Sequence, residues 1–370
     1  SLIELPSGNI MAFGSSASSN SGNKTSTSYG SIDVWYLKLN SNGSILNDCS
    51  IGGADIDTRP IVVQSSPNHL VLVCESSSNL SGLKTQDSYG FTDLWVIHID
   101  TNCSVLQQKT IGGSDIDGVS DILLKNNGDL LILSQSWSNI SGLKSEDSYG
   151  LMDTWLLLLN NDLDIVLQKT IGGVGQDYGS RIHELANGNI VVAANSDSPQ
   201  NTFKTESNIG LMDIWMYGVD ANFNFIADQT LGTTSDDNVV DFELEQNGLY
   251  INVLACSSGG VQNDKSCPGN GGFDIWEWEI MPLEFNVLVT VKDDSTGNIL
   301  PNATVKLYLL PDSSFRDGMT DEKGQIKFKL KSGTDYALLV NKDKYFGNTG
   351  SVSTKAEEFS KNFDITIGIA

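Results

Sequence analysis

The chain has 370 residues, and its 46 Asp and Glu against 22 Lys and Arg give a formal charge of −24. All of that charge lies in residues 1–285, which hold 35 acidic and 11 basic side chains, whereas residues 286–370 hold 11 of each. Such a surface repels phosphate backbones and argues against nucleic acid or an anionic membrane as partner, while 39% hydrophobic residues with seven Trp exclude a disordered chain.

No apolar run approaches the ~20 residues that span a bilayer as a helix. The start lacks the basic-then-apolar pattern of a signal peptide, so an export signal is expected to be removed or to lie outside the sequence.

The chain repeats itself. Asp-x-Trp stands at Asp33/Trp35, Asp93/Trp95, Asp153/Trp155, Asp213/Trp215 and Asp274/Trp276, at spacings of 60, 60, 60 and 61 residues. Nine residues before each Asp lies a lysine: Lys24, Lys84, Lys144, Lys204 and Lys265. Ile51-Gly52-Gly53 recurs at 111–113 and 171–173, and as Leu231-Gly232. Within the third period, residues 121–125, 130–134, 154–159 and 165–171 read as short strands, joined by turns at Asn127-Gly128 and Asn160-Asn161 and by a long polar loop. The first turn recurs at Gly8, Asn68, Gly128, Gly188 and Gly248, and Gly, then Asn, best tolerate the positive φ such a turn requires.

Four antiparallel strands per 60 residues, repeated in tandem, predict an all-β fold: a β-propeller of about five four-stranded blades over residues 1–284. A β-solenoid is the alternative, but its rungs are shorter. The fourth strand is found only four times, near residues 46, 105, 165 and 225. Residues upstream of Ser1 are expected to supply the missing one, since an open edge invites aggregation; a larger ring is the other possibility.

The stretches Gly150–Asn160 (GLMDTWLLLLN) and Gln168–Gly173 (QKTIGG) resemble the SBBP-type β-propeller repeat, Gly-x-x-Asp-x-aromatic, strand, turn, strand, then Leu-Gly-Gly-x-x-Asp. The resemblance covers about residues 1–280 and implies a secreted or surface-exposed bacterial protein of binding or structural role. The sequence departs from it at Gly173–Asp177 and Thr233–Asp237, where the Asp-x-Asp of Asp55/Asp57 and Asp115/Asp117 is not kept.

From Phe285 the pattern changes to strands at 285–292, 303–310, 325–330, 336–341 and 362–367, separated by turns every 10–15 residues, which predicts a small antiparallel β-sandwich over 285–370. Val291–Gly297, Pro301–Val305, Thr320–Gln325 and Gly333–Tyr336 resemble the carboxypeptidase regulatory-like, transthyretin-type module, which implies a spacer or docking unit without protease chemistry. The domain order is similar to that of PorE-like proteins of the type 9 secretion system.

No nucleophile elbow, phosphate loop or His-Glu-x-x-His is present, and no catalytic residue is assigned. The repeated Lys and Asp could build a ring of sugar- or peptide-binding pockets. The expected reading is structural, an Asp that caps the long loop through backbone N–H groups or an ion pair within each blade. The Trp is expected in the core between blades. Asp55, Asp57, Asp115 and Asp117, with Asp236 and Asp237, offer hard oxygens of the kind Ca²⁺ takes; no other cofactor is expected. His69, His98 and His183 have no metal-ligand spacing. Of five Cys, Cys256 and Cys267 flank one long loop and are expected to pair, leaving Cys49, Cys74 and Cys103 as buried thiols.

These readings converge on a non-enzymatic binding or scaffolding protein of the bacterial envelope or exterior, with a protein or glycan partner on the propeller face. A PorE-like part of an envelope machine is the alternative. A polysaccharide-acting enzyme is the next, for which Glu243, Glu277 and Glu279 are the off-repeat carboxylates.

Overall fold

The structure, a computed structural model, describes residues 1–185, 188–244, 251–261, 263–266, 268–269, 272–280, 285–309, 315–330, 335–343, 348–353 and 360–367. These contain strands and turns only. Four successive sheets have four antiparallel strands each, ordered as in the chain. They are β1 (Leu2–Glu4), β2 (Ile10–Ser16), β3 (Asp33–Leu39) and β4 (Ile45–Ile51); then β5 (Asp57–Ser66), β6 (His69–Ser76), β7 (Asp93–Asp100) and β8 (Val105–Ile111). The third is β9 (Asp117–Leu124), β10 (Leu130–Ser136), β11 (Asp153–Leu159) and β12 (Ile165–Ile171), and the fourth β13 (Asp177–Glu184), β14 (Ile190–Ser196), β15 (Asp213–Val219) and β16 (Phe225–Leu231). A fifth sheet has three strands, β17 (Asp237–Leu244), β18 (Ile251–Ser257) and β19 (Asp274–Ile280). The 60-residue period is thus one blade-like meander per repeat.

The remaining strands are β20 (Phe285–Asp293), β21 (Thr304–Leu309), β22 (Phe315–Met319), β23 (Gln325–Leu330), β24 (Asp335–Asn341), β25 (Asn348–Ser353) and β26 (Ser360–Ile367). They form two sheets, ordered β23-β20-β26 and β22-β21-β24-β25. β26 lies parallel to β20, so the module is not wholly antiparallel. β22 (FRDGM) and β25 (NTGSVS) escape the sequence pattern because their Gly and polar residues hide any alternation.

By its internal contacts the chain divides into two compact units, one of residues 1–183 with 194–208, the other of 184–193 with 209–370. In the first, two apolar clusters fill the spaces between successive sheets. One joins Phe13, Tyr36, Leu72 and Trp95, and the other joins Val73, Val96, Ile132 and Trp155. In the second unit a single cluster runs from Ile214 and Val253 to Val289, Val305 and Leu338. The second strands of the second, third and fourth sheets are buried on both sides, as in LLILSQS of β10, because those sheets are covered on both faces, whereas β2 and β18 alternate between buried and more open residues.

The outer hairpins share a device that the sequence pattern did not reveal. An Asx residue opens each turn, and its side-chain oxygen accepts two backbone N–H groups: Asn40 from Asn42 and Ser44, Asp100 from Asn102 and Ser104, Asn160 from Asp162 and Asp164. The next-to-last turn residue has positive φ. It is Gly43 in the first sheet but Cys103, Leu163 and Phe223 in the next three, at φ 74°, 61° and 61°. A non-Gly residue there costs roughly 1–2 kcal/mol. The cost is offset by what each side chain reaches: Leu163 is fully buried in the cluster between the second and third sheets.

Cys103 reaches Cys49 on β4. The two are joined by a disulfide with Cα atoms 6.6 Å apart, which corrects their assignment as free thiols. The register that pairs them is spatial: an outer-turn residue meets the outer strand of the preceding sheet, although 54 residues separate them in sequence. Cys74 is a buried free thiol and Cys256 a half-buried one. The expected Cys256–Cys267 bridge involves Cys267, which lies outside the described residues.

Closing a loop of 54 residues removes about 4 kcal/mol of unfolded-state freedom. Cys103→Ser is therefore expected to lower the denaturation midpoint, and a reducing agent is expected to lower that of the wild type to the same value. Equal midpoints with and without reductant would show that the bond contributes nothing.

Candidate functional site

The repeated residues meet at one end of each sheet. In the second sheet Asp57 pairs with Ser76 and Ser76 with Asp93; in the third, Asp117 with Ser136 and Ser136 with Asp153; in the fifth, Asp237 with Ser257 and Ser257 with Asp274. Each of these sheets thus begins with a carboxylate, a hydroxyl and a carboxylate abreast on three strands.

The Asp of Asp-x-Trp holds the long loop. Its Oδ2 accepts the N–H of the residue four positions earlier, at 2.6 Å for Asp33 (Tyr29), Asp93 (Tyr89) and Asp213 (Ile209), and at 2.5 Å for Asp153 (Tyr149). Its Oδ1 lies against a glycine. A Cβ on Gly52, Gly112 or Gly172 would fall 2.1, 1.8 or 1.9 Å from the Oδ1 of Asp33, Asp93 or Asp153, so no side chain fits there. This is the physical reason for the second anchor of the repeat.

The other carboxylate holds the short loop. Asp57 accepts Gly53 N–H (2.7 Å) and Ser78 Oγ–H (2.9 Å), Asp117 accepts Gly113 N–H (2.6 Å) and Ser138 Oγ–H (3.0 Å), and Asp177 accepts Gly173 N–H (2.7 Å) and Ser198 Oγ–H (2.6 Å). Asp237 does the same with Thr233, at 2.6 Å to its N–H and 2.8 Å to its hydroxyl. Asp177 and Asp237 thus keep the repeat even though the pair Asp-x-Asp is broken there. Only the second Asp of that pair recurs in structure, together with Ser78, Ser138 and Ser198 at the same 60-residue spacing.

The lysines are buried beside these carboxylates. Lys84 donates to Ser76 Oγ (2.8 Å), the Ser78 carbonyl (2.7 Å) and Ser88 Oγ (2.9 Å), and its ammonium lies 6.0 Å from the centre of the Trp95 ring. Lys144 donates to the Glu146 carbonyl (2.7 Å) and Thr170 Oγ1 (3.0 Å), Lys204 to Ser196 Oγ (3.0 Å) and Asn208, Lys24 to Ser28 Oγ (3.3 Å), and Lys265 to the Gly259 carbonyl. Burial lowers the Lys84 pKa, against the pull of Asp57 and Asp93. Burial raises Asp117 and Asp153 to about 6, with the charge of Asp93 acting on the former and that of Asp177 on the latter. The Oδ1 atoms of Asp57, Asp93, Asp117 and Asp153 are buried without a hydrogen-bond partner.

Chemically, this constellation closes loops. The Asp residues at 33, 57, 93, 117, 153, 177, 213 and 237 are fully covered, with Oδ2 engaged by the fold itself. The first Asp of each candidate calcium pair lies apart from the second. Asp55 is exposed and Asp115 uses Oδ1 to accept the N–H of Ile116, while Asp57 and Asp117 are buried. Among the described residues no group of three or more His, Cys, Asp or Glu is arranged to hold a metal ion.

What the first unit leaves open is the loop surface beyond these carboxylates. Tyr29, Tyr89 and Tyr149 are half exposed, one per repeat, and Phe91, Leu151, Leu80 and Ile140 are exposed. The tyrosines are steadied from the next repeat. A Cβ on Gly82 or Gly142 would lie 3.0 Å from the ring of Tyr29 or Tyr89, and the Tyr149 ring meets Phe203 edge-on at 5.2 Å.

No family model matches the chain, and no curated protein matches it. Among solved structures, a 3-chlorocatechol 1,2-dioxygenase from Rhodococcus opacus 1CP aligns at 13% identity over 24% of this chain and 60% of that one, with a TM-score of 0.19. The chain thus spans less than two thirds of that dioxygenase. A protein of unknown function from Dyadobacter fermentans aligns at 10% identity over 88% and 92% of the two chains, and a polysaccharide lyase of the ulvan lyase type at 8% over 95% and 92%, both with a TM-score of 0.43.

The raised carboxylates set a pH dependence. A group whose pKa is raised on folding stabilises the fold fully below its unfolded value near 4 and loses that contribution as pH climbs through about 6. The thermal midpoint is expected to rise between pH 7.5 and 5, and Asp153→Asn to flatten that rise. A midpoint that falls over this interval in the wild type, with the same slope in the variant, would contradict the assignment.

Proposed function

We propose that residues 1–284 form a β-propeller of about five blades of the SBBP type, and that this propeller is a binding platform without a catalytic centre. Its long-loop face takes a protein or glycan partner outside the cytoplasm, and the C-terminal module docks it into a larger envelope assembly. The observation that carries the reading is the exposed apolar and aromatic set Leu80, Tyr89, Phe91, Ile140, Tyr149 and Leu151, repeated at one register on the loops of the first unit. Exposed apolar groups gathered on one surface mark interaction sites. The repeated carboxylates Asp93 and Asp153 are enclosed and bonded to backbone N–H groups, which supports a loop-holding role for them rather than contact with a ligand. The Cys49–Cys103 disulfide supports an oxidising compartment, and the acidic surface disfavours polyanions.

The test is a screen of glycans and envelope proteins against the whole chain, followed by titration of each hit into a Leu80→Ser/Phe91→Ser/Leu151→Ser variant. Saturable binding is expected, weakened at least about tenfold in the variant at unchanged thermal midpoint. Time-dependent shortening of a bound polysaccharide would make the protein an enzyme, and binding indifferent to the variant would move the site elsewhere.

A further inference from the structure

Among the described residues the fifth sheet has three strands where its four predecessors have four. In each of those, the fourth strand delivers one acceptor to the Trp of Asp-x-Trp. Trp35 Nε1 donates to Asp48 (3.0 Å), Trp95 to Gln108 (3.0 Å), Trp155 to Gln168 (3.2 Å) and Trp215 to Asp228 (3.1 Å). The same side chain ties down the long loop. Gln108 accepts the Thr85 N–H (3.1 Å) and donates to the Leu83 carbonyl (2.9 Å), and Gln168 repeats this with Ser145 (3.0 Å) and Leu143 (3.1 Å).

In the fifth sheet β19 is the edge, and among the described residues no strand lies beyond it. The Trp276 indole N–H is buried and has no hydrogen-bond partner. The Asp264 carbonyl, which takes the place of Leu83, receives the Trp278 indole N–H at 2.9 Å. Ile275 is 76% exposed, whereas its counterpart Ile214 is fully buried. A cavity of about 630 Å³ runs along this edge, lined by Asp264, Phe273, Ile275, Trp276, Glu277 and Trp278.

We propose that β19 is a strand acceptor, and that its occupant is one further outer strand of this repeat type that lies outside the described residues. The sibling registers fix how it sits. Trp95 faces Thr110, Val96 faces Lys109 and Ile97 faces Gln108; Trp155, Leu156 and Leu157 face Thr170, Lys169 and Gln168 in the same way. An antiparallel segment reading Gln-Lys-Thr-Ile therefore sets Gln opposite Trp278, Lys opposite Glu277, Thr opposite Trp276 and Ile opposite Ile275. The Gln side chain reaches back to the Trp276 N–H, as Gln108 does to Trp95. The Lys meets an exposed carboxylate, and opposite charges facing each other across strands stabilise the pair. Main-chain hydrogen bonds supply affinity, while the Gln and Lys positions supply selectivity.

The test is titration of a synthetic peptide copying residues 165–173 into the whole chain, followed by tryptophan fluorescence and calorimetry. Saturable binding is expected. Replacing the peptide Gln with Leu is expected to weaken binding about tenfold against the wild type but less than about twofold against Trp276→Phe. Replacing the peptide Lys with Glu is expected to weaken binding to the wild type, and Glu277→Lys, at an exposed position that leaves the fold intact, to restore it. No saturable binding up to about 1 mM, equal losses in both proteins, or no rescue by the charge swap would overturn the proposal.

Discussion

One contact governs the rest of the repeat: a buried aspartate held between a loop's backbone N–H and the bare Cα of a glycine. Asp93 accepts the Tyr89 N–H on one side and leaves no room for a side chain on Gly112 on the other. The long loop, the following strand and the end of the outer strand are therefore positioned by a single carboxylate. A carboxylate can accept backbone N–H groups at a fixed angle where an apolar residue cannot, and a buried N–H left alone would cost about 1–3 kcal/mol. That constraint is repeated from sheet to sheet, which is why Asp, Gly and Trp recur at fixed spacing while loop residues drift.

Burial on this scale has an electrostatic consequence. Successive carboxylates lie near enough that Asp93 acts on Asp117 and Asp177 on Asp153, and the buried lysines offset this only in part. The lysines are held by hydroxyls and carbonyls rather than by one carboxylate each, and Lys24, Lys84 and Lys144 each lie in the field of at least two acids. Lys84 lies in the fields of both Asp57 and Asp93. The acidic excess of the chain is consequently not confined to its surface; part of it forms the frame itself.

Much of the architecture was legible in the sequence. The 60-residue period, the strands of each repeat and the first turn follow from Asp-x-Trp, alternating apolar residues and Gly or Asn at positive φ. The loop-capping Asp was legible as a type, because only a side chain that accepts hydrogen bonds suits that position. Two kinds of feature were not. Cys49 and Cys103 share no register in the period, and their bond depends on an outer turn reaching the preceding sheet. The strands β22 and β25 carry too little alternation to be seen.

The sequence by itself determined the repeat and the residues that every copy must keep, because those residues satisfy local demands of turn, cap and pleat within one period. Only the tertiary structure decided what the copies do to one another. It joined Cys49 to Cys103, buried Leu163 at a strained turn, and raised carboxylates by burying them, with a neighbouring carboxylate adding to the effect. It also left the Trp276 indole N–H without the acceptor its four counterparts have. Each of these depends on distances between residues tens of positions apart, and such distances exist only once the sheets are stacked.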